Sequence, residues 1–297
     1  MENKIKVDLI LDIAHKNEFL PYLIEKDYYL TLFLQKLSDE NISNLIFKGG
    51  TCLNKCYLGF YRLSEDLDFI YNKDFRNVSI TQLKLLLDEL RTKLKKIILE
   101  VGFKYSGKFG QDWNMIKING KVSGLVLFAN YNSQITKKEE QIKIEISFRN
   151  KLVQPISKQI INHEFIDVLG VEILPKNKVM NCISLVENFA EKYRALFTRP
   201  IIAVRDLYDI YYILINKSIK IDTEFKNLVL LKLNETKNLT ISDLDQLINN
   251  LKSISSKINN NELEIVLKQG LVYNLDEIIN KIVTTWFEDY KNIKKTI

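Results

Sequence analysis

At 297 residues and 46% hydrophobic, the chain can bury a sizeable core and is long enough for two domains. Its 10 Gly and 4 Pro exclude collagen-like, low-complexity and largely disordered classes. The 43 basic and 37 acidic residues leave a net charge of +6, an excess that suits a nucleic-acid or nucleotide partner without requiring one.

The N-terminal stretch MENKIKVDLILDIAHKNEF carries acids through its apolar region, so it does not read as a secretory signal. No run approaches the length of a membrane span, and a cytoplasmic protein with no membrane partner is expected. Helical periodicity covers 5–15 and 22–38; in the second, Tyr22, Tyr29, Leu32, Phe33 and Leu37 share one broad face. LIF (45–47) reads as a short buried strand ending at Gly49-Gly50, TCLNKCYL as a short helix, and DLDFIY (66–71) as a strand with alternating faces. A long amphipathic helix covers about 80–100.

From 103 to 149 the period changes to two, through FKYSG, WNMIKI, KVSGLVLFAN and QIKIEISFR. Asn119-Gly120 predicts a two-residue hairpin between the second and third of these. After Pro175 the strand signal disappears, and helices are predicted over 178–198, 203–216, 222–234, 241–253 and 274–291. The fold class is α+β: a mixed-sheet first domain over 1–175 and an all-helical second domain over 176–297. The three cysteines are too few for a disulfide framework. Cys52 and Cys56 share a helix face, but His15 and His163 are far away in sequence. Cys52 and Cys56 therefore read as two buried thiols in a reducing compartment rather than as metal ligands.

Residues i and i+2 of a strand share a face, about 7 Å apart. Asp66 and Asp68 therefore project side by side while Leu67 and Phe69 face the core. Two carboxylates held this close repel, and each favours protonation. A hard divalent cation removes the conflict, and oxygen ligands with open water positions suit Mg²⁺ or Mn²⁺. Such a cation recruits a triphosphate. Upstream, Gly49-Gly50-Thr51 follows a strand and opens a helix, so backbone N–H groups can receive a phosphate with no Cβ in the way. Thr51 adds a hydroxyl and Lys55, one turn later, a cation.

A twin glycine alone is an ordinary turn, and a D-x-D pair alone an ordinary solvated loop. The order strand, Gly-Gly, helix, loop, D-x-D strand resembles the nucleotidyltransferase signature of the DNA polymerase β superfamily. That resemblance implies a third carboxylate on a neighbouring strand. QIKIEISFR offers Glu145, which faces away from Ile144 and Ile146 and shares its face with Lys143 and Ser147. It reads equally as a third metal ligand and as one half of an exposed Lys/Glu pair.

A narrower match joins more segments. Glu25-Lys26-Asp27-Tyr28, KGGTCLNKCY and Arg62-Leu63-Ser64-Glu65-Asp66-Leu67-Asp68-Phe69 resemble the AbiEii/AbiGii toxin family of nucleotidyltransferases. Glu191-Lys192-Tyr193-Arg194-Ala195-Leu196, Arg199 and Arg205-Asp206-Leu207-Tyr208-Asp209-Ile210 continue it in the family's order, and beyond about 215 nothing matches. The resemblance implies a polymerase β-like domain followed by a helical domain that contributes Lys192 and Asp206. It implies Ser64 and Asp66 at the active centre, Asp68 as second metal ligand, Lys192 on the triphosphate, and Asp206 or Asp209 completing the catalytic set. Gly49, Gly50, Thr51, Lys55, Arg62, Ser64, Lys192 and Arg199 form the expected nucleotide-binding set.

Lys192 and Arg199, two helical turns apart, project toward a common anionic partner. Read without the resemblance, Lys192 is a solvated helix lysine that adds little stability. Arg205 and Asp209, spaced i,i+4, can pair with each other.

Members of the family are toxins of type IV toxin–antitoxin and phage abortive-infection systems. Some resemble tRNA nucleotidyltransferases in activity, and the implied antitoxin is a separately encoded winged-helix protein. The expected reaction is in-line attack of an acceptor hydroxyl on the α-phosphorus of an NTP, releasing pyrophosphate, with Glu145 or Asp206 activating the acceptor. The expected acceptor is a tRNA 3′ end and the expected state a monomer. Lys93, Lys95 and Lys96 in one helix and Lys291, Lys294 and Lys295 at the tail supply a basic rim, although a lysine-rich genome bias accounts for the same residues. Two alternatives stand beside this reading. A transferase acting on a small molecule such as an aminoglycoside needs extra acids to hold a polycation. A catalytically silent nucleotide-binding module could relieve its charge conflict by losing one acid, and the intact D-x-D pair argues against it.

Overall fold

The computed structural model describes residues 5–40, 42–73, 75, 78–118, 120–149, 152–167, 169–233, 239–254, 258 and 261–288. The first helices follow the apolar periodicity: α1 (Val7–Asn17) and α2 (Pro21–Asp39), the latter opened by a proline whose missing N–H costs nothing there. β1 (Leu45–Lys48) runs into α3 (Gly49–Cys52), which continues as a π-turn, Leu53–Leu58. β2 (Asp66–Tyr71) follows, then α4 (Ile80–Val101), started by a Ser79/Gln82 capping box. Next come β3 (Trp113–Ile118), β4 (Lys121–Asn132), β5 (Glu139–Ser147), β6 (Ser157–Ile160) and β7 (Val179–Cys182).

These strands form one seven-stranded mixed sheet in the order β3-β4-β5-β2-β1-β7-β6. β2 is antiparallel to β1 and parallel to β5, so it sits at the centre with a partner on each side. Alternation along β2 and β5 buries Leu67, Phe69, Ile144 and Ile146 completely, and Phe47 of β1 meets Phe69 at 5.3 Å between rings. α2 is buried nearly all round, and its polar residues are satisfied internally: Glu25 accepts hydrogen bonds from Ser133 Oγ at 2.5 Å and the Gln134 N–H at 2.6 Å.

The expected hairpin has β3 and β4 paired at Ile118↔Lys121, while Asn119 itself lies outside the described residues. FKYSG is no strand; it contributes the single bridge Lys104↔Asn130. β6 and β7 were not expected. Four-residue strands carry too little alternation to be read locally, and β7 forms because its backbone pairs with β1 and β6. The helix expected from 178 therefore begins only at Leu185, after a Ser184 N-cap.

The remaining helices are α5 (Leu185–Thr198), α6 (Val204–Asn216), α7 (Thr223–Leu233), α8 (Ile241–Ile254), α9 (Asn261–Val266) and α10 (Leu275–Trp286). Two compact units result: Met1–Ile183 with Val266–Gln269, and Ser184–Ile265 with Gly270–Ile297. The short return segment is tied into the first unit by backbone bonds from the Leu63 N–H to Val266 O at 2.8 Å and from the Gln269 N–H to Glu18 O at 2.5 Å. The second unit is all-helical. α5 packs on α6 and α7, and Tyr193 meets Trp286 at 5.1 Å in its centre. Buried Lys232 pairs there with Glu187 and, at 3.4 Å, with Glu191. Among the described residues no helix is long and apolar enough to cross a membrane.

Candidate active site

The register of the central strands sets the geometry of the first unit's site. Asp68 lies opposite Glu145 of β5 on one side and Lys48 of β1 on the other, while Asp66 lies opposite Lys143. Paired residues share a sheet face, so Lys48, Asp66, Asp68, Lys143 and Glu145 project together from the face opposite Leu67 and Phe69. Burial raises the Asp68 pKa; the Lys48 and Lys143 ammoniums oppose that rise, and the Glu145 and Asp66 carboxylates add to it. Lys143 lies 2.8 Å from Glu145. Burial works against its ammonium, but the bond to Glu145 and the charges of Glu145, Asp66 and Asp68 outweigh burial and raise its pKa. Both readings of Glu145 thus coexist: it is half of a Lys/Glu pair and the cross-strand neighbour of Asp68.

The twin glycine has a steric explanation at each position. Gly49 has φ +79°, and a Cβ there would stand 2.5 Å from Asp68 Oδ2. A Cβ on Gly50 would meet Arg62 Nη2 at 2.7 Å and Ser64 Oγ at 3.1 Å. The Gly-Gly turn, Ser64 and the D-x-D strand are therefore in direct apposition.

Two expected phosphate contacts, Thr51 and Lys55, are engaged elsewhere, and a third, Arg62, is buried beside the Gly-Gly turn. Thr51 is buried and its hydroxyl donates to the Asp66 carbonyl, fastening α3 to the start of β2. Lys55 is fully buried, 2.6 Å from Asp27 of α2, and faces the rings of Phe60 and Phe165. Burial pushes Asp27 up and Lys55 down, each partly offset by the other's charge. Arg62 is buried too, donating to Leu63 O at 2.8 Å with its guanidinium over Tyr61. Lys55, already paired in the core, cannot reach a phosphate without breaking that pair.

In the second unit, Lys192 Nζ lies 2.8 Å from Asp206 Oδ1 and 2.7 Å from Asp209 Oδ2. Arg199 Nη1 lies 2.8 Å from Asp206 Oδ2, though not aligned as a hydrogen bond. The common anionic partner of Lys192 and Arg199 within the chain is Asp206. Lys192 is 8% exposed and Asp209 fully buried, so Lys192 is not a solvated lysine. On α4, Lys93 pairs with Glu89 at 2.7 Å and Lys96 with Glu40 at 2.6 Å, which neutralises two of the three expected rim charges. Lys291, Lys294 and Lys295 lie outside the described residues.

The family model described as "Nucleotidyl transferase AbiEii toxin, Type IV TA system" matches residues 33–268. The chain belongs to the AbiEii family. Among solved structures it is similar to JHP933 from Helicobacter pylori, with a TM-score of 0.50 and 17% identity over 94% of this chain and 96% of that one. It is similar also to a putative nucleotidyltransferase from H. pylori, with the same score and identity over 92% and 96%. At that identity the likeness is one of fold, a mixed-sheet polymerase β-like region followed by helices. A comparison with curated proteins finds no match.

For this AbiEii member the donor set can be tested against a metal. Mg²⁺ and Mn²⁺ take hard oxygen ligands, and Mg²⁺ keeps several waters at about 2.0–2.1 Å. Asp66 and Asp68, half-buried with surplus negative charge, fit that requirement. Among the described residues the only three-ligand group within 4.8 Å is Cys52, Cys56 and Cys182, so the Asp66, Asp68 and Glu145 oxygens stand wider apart than one shell needs. Glu145 would have to leave Lys143 to join. The sequence reading missed Lys48, whose place opposite Asp68 follows from the antiparallel register, and Asp27 as the partner of Lys55, for which no local signal exists.

Proposed function

We propose that the chain transfers a nucleoside monophosphate from an NTP to an acceptor hydroxyl, releasing pyrophosphate. We take the acceptor to be a tRNA 3′ end, whose modification blocks translation in a type IV toxin–antitoxin or abortive-infection system with a winged-helix antitoxin. The observation that carries the reading is the apposition of Gly49-Gly50 and Ser64 to three carboxylates on one sheet face, with Asp68 destabilised as an anion.

Asp66 and Asp68 would hold Mg²⁺ or Mn²⁺, which supplies positive charge to the phosphates when bound. The Gly49 and Gly50 backbone and the Ser64 hydroxyl orient the triphosphate beside them. Glu145 accepts the acceptor's proton once freed from Lys143, and Lys143 then stabilises the resulting charge. The family resemblance adds Lys192 as a triphosphate contact and Asp206 or Asp209 as an acid of the catalytic set. For that role Lys192 must exchange a carboxylate for a phosphate.

A second reading, a small-molecule acceptor, is favoured by the acid pairing of Lys93 and Lys96, which weakens an RNA rim on α4. Purified protein with Mg²⁺, each labelled NTP in turn and total tRNA, run on a denaturing gel, separates the two. Label on tRNA supports the first reading; label on an aminoglycoside with none on tRNA under any NTP overturns it. A tRNA complex should also weaken log-linearly with added salt as counterions are released.

A further inference from the structure

Away from the acidic face, all three of the chain's cysteines meet at one point in the first unit. Cys52 ends α3, Cys56 lies in the π-turn that continues it, and Cys182 ends β7, 126 residues further along the chain than Cys56. Cys182 Sγ lies 3.6 Å from Cys56 Sγ, and the three sulfurs all lie within 4.8 Å of one another. Cys52 and Cys182 are sealed from solvent and Cys56 is 6% exposed; all three are free thiols. A single buried cysteine is explained as a small apolar side chain. Three from two distant segments, brought together sulfur to sulfur, make a coordination triangle.

The spacing can be compared with what a shared ion demands. Metal–sulfur bonds of about 2.3 Å put neighbouring sulfurs about 3.8 Å apart in a tetrahedral site and about 4.0 Å apart in a trigonal one. The 3.6 Å between Cys56 and Cys182 lies within about 0.4 Å of such a spacing, and no sulfur pair exceeds 4.8 Å. A disulfide would instead need about 2.05 Å between sulfurs, roughly 1.5 Å less than the Cys56–Cys182 separation.

The ligand count selects the ion. Structural zinc is almost always four-coordinate, and neither histidine joins the cluster; His163 is engaged with Pro175 O and the Phe165 N–H. Soft thiolates without nitrogen or oxygen partners suit copper(I). We propose that Cys52, Cys56 and Cys182 bind one closed-shell thiophilic cation of the copper(I) class in three-coordinate sulfur geometry. Binding displaces three thiol protons to solvent, each sulfur donates an electron pair, and no oxidation state changes. The bound ion ties the helical turn behind Gly49-Gly50 to β7. None of this depends on the transferase reading.

The test uses the reduced, metal-free full chain, titrated anaerobically with Cu(I) against a chromophoric Cu(I) chelator. One ion per chain should be retained, and X-ray absorption of the wild-type complex should count three sulfurs and no nitrogen or oxygen. Cys182→Ala should lower affinity by more than the 10–100-fold typical of changes beyond the ligands themselves. Circular dichroism checks that this variant is folded, and the X-ray absorption count needs no variant. Copper lost to the chelator, retention undiminished in folded Cys182→Ala, or a shell containing nitrogen or oxygen overturns the proposal. So does tighter binding of Zn²⁺ than of Cu(I), or a Cys56–Cys182 disulfide as the only product.

Discussion

The two charge clusters, one in each unit, are built on opposite principles. On the central sheet three carboxylates, Asp66, Asp68 and Glu145, face two ammoniums, Lys48 and Lys143, and burial, with the neighbouring acids adding to it, raises the Asp68 pKa. Among the helices of the second unit, Asp206 and Asp209 face Lys192 and Arg199, two against two, at 2.7–2.8 Å. In a balanced cluster each charge faces an opposite one within the chain. An unbalanced, half-open one is stable only at a cost, which a bound cation removes.

The largest expected effect lies on the unbalanced side. Asp66→Asn should reduce nucleotidyl transfer by about 10³-fold or more while the thermal midpoint stays at or above wild type. If the chain arrests growth when expressed alone, the same substitution should restore growth at equal protein level. Comparable turnover in mutant and wild type would break the comparison.

On the balanced side, Lys192→Met should cost about 3–5 kcal/mol in denaturant unfolding, because it removes the ammonium that buried Asp206 and Asp209 share. Adding Asp209→Leu should recover much of that loss. A negligible loss would return Lys192 to the solvated reading that its helix position suggested. Lys55→Met should behave alike in the first unit, with recovery by Asp27→Leu and no requirement for nucleotide to see the effect.

Smaller effects sharpen the contrast. Asp68 is raised in the folded protein, so its protonated form is favoured there. That contribution is fully present below the ordinary carboxylate pKa and is lost as pH rises through the raised value. Asp68→Asn should therefore stabilise the chain by up to about 1 kcal/mol near neutrality, with the difference vanishing in acid. Unfolding midpoints of both proteins across pH 3–8 check the sign. Least of all, charge reversal at Lys93 and Lys96 should change tRNA affinity by about threefold or less, since both already carry acidic partners. A steep loss would restore α4 as an RNA rim.

How much was legible in the sequence depended on whether an interaction was local. DLDFIY announced its own alternation, and QIKIEISFR carried the same period, so Asp66 with Asp68 and Lys143 with Glu145 could each be put on one strand face; that the two strands lie side by side follows only from the fold. Lys55 misled because spacing from Thr51 specifies a helical neighbour but not which way that face turns. Its partner Asp27 lies 28 residues earlier, and the intervening turn has π rather than α geometry. β7 was invisible because four residues with one buried aliphatic pattern look like the start of a helix until β1 offers its backbone. Cys182 was unreadable as a companion of Cys56 for the same reason, since nothing within its own segment points across 126 residues.

The return of Val266–Gln269 to the first unit bears on genetic dissection of the chain. Val266 supplies the acceptor for the backbone N–H of Leu63, the residue between Arg62 and Ser64. A premature stop codon anywhere between 184 and 265 leaves every sheet strand encoded, yet it deletes the carbonyl that pins the loop entering Asp66. Such a truncated product should keep its sheet and lose the fixed approach to its acids. Supplying the missing C-terminal fragment in trans should restore the loop, a complementation that cutting at the boundary between the two units would not by itself lead one to attempt.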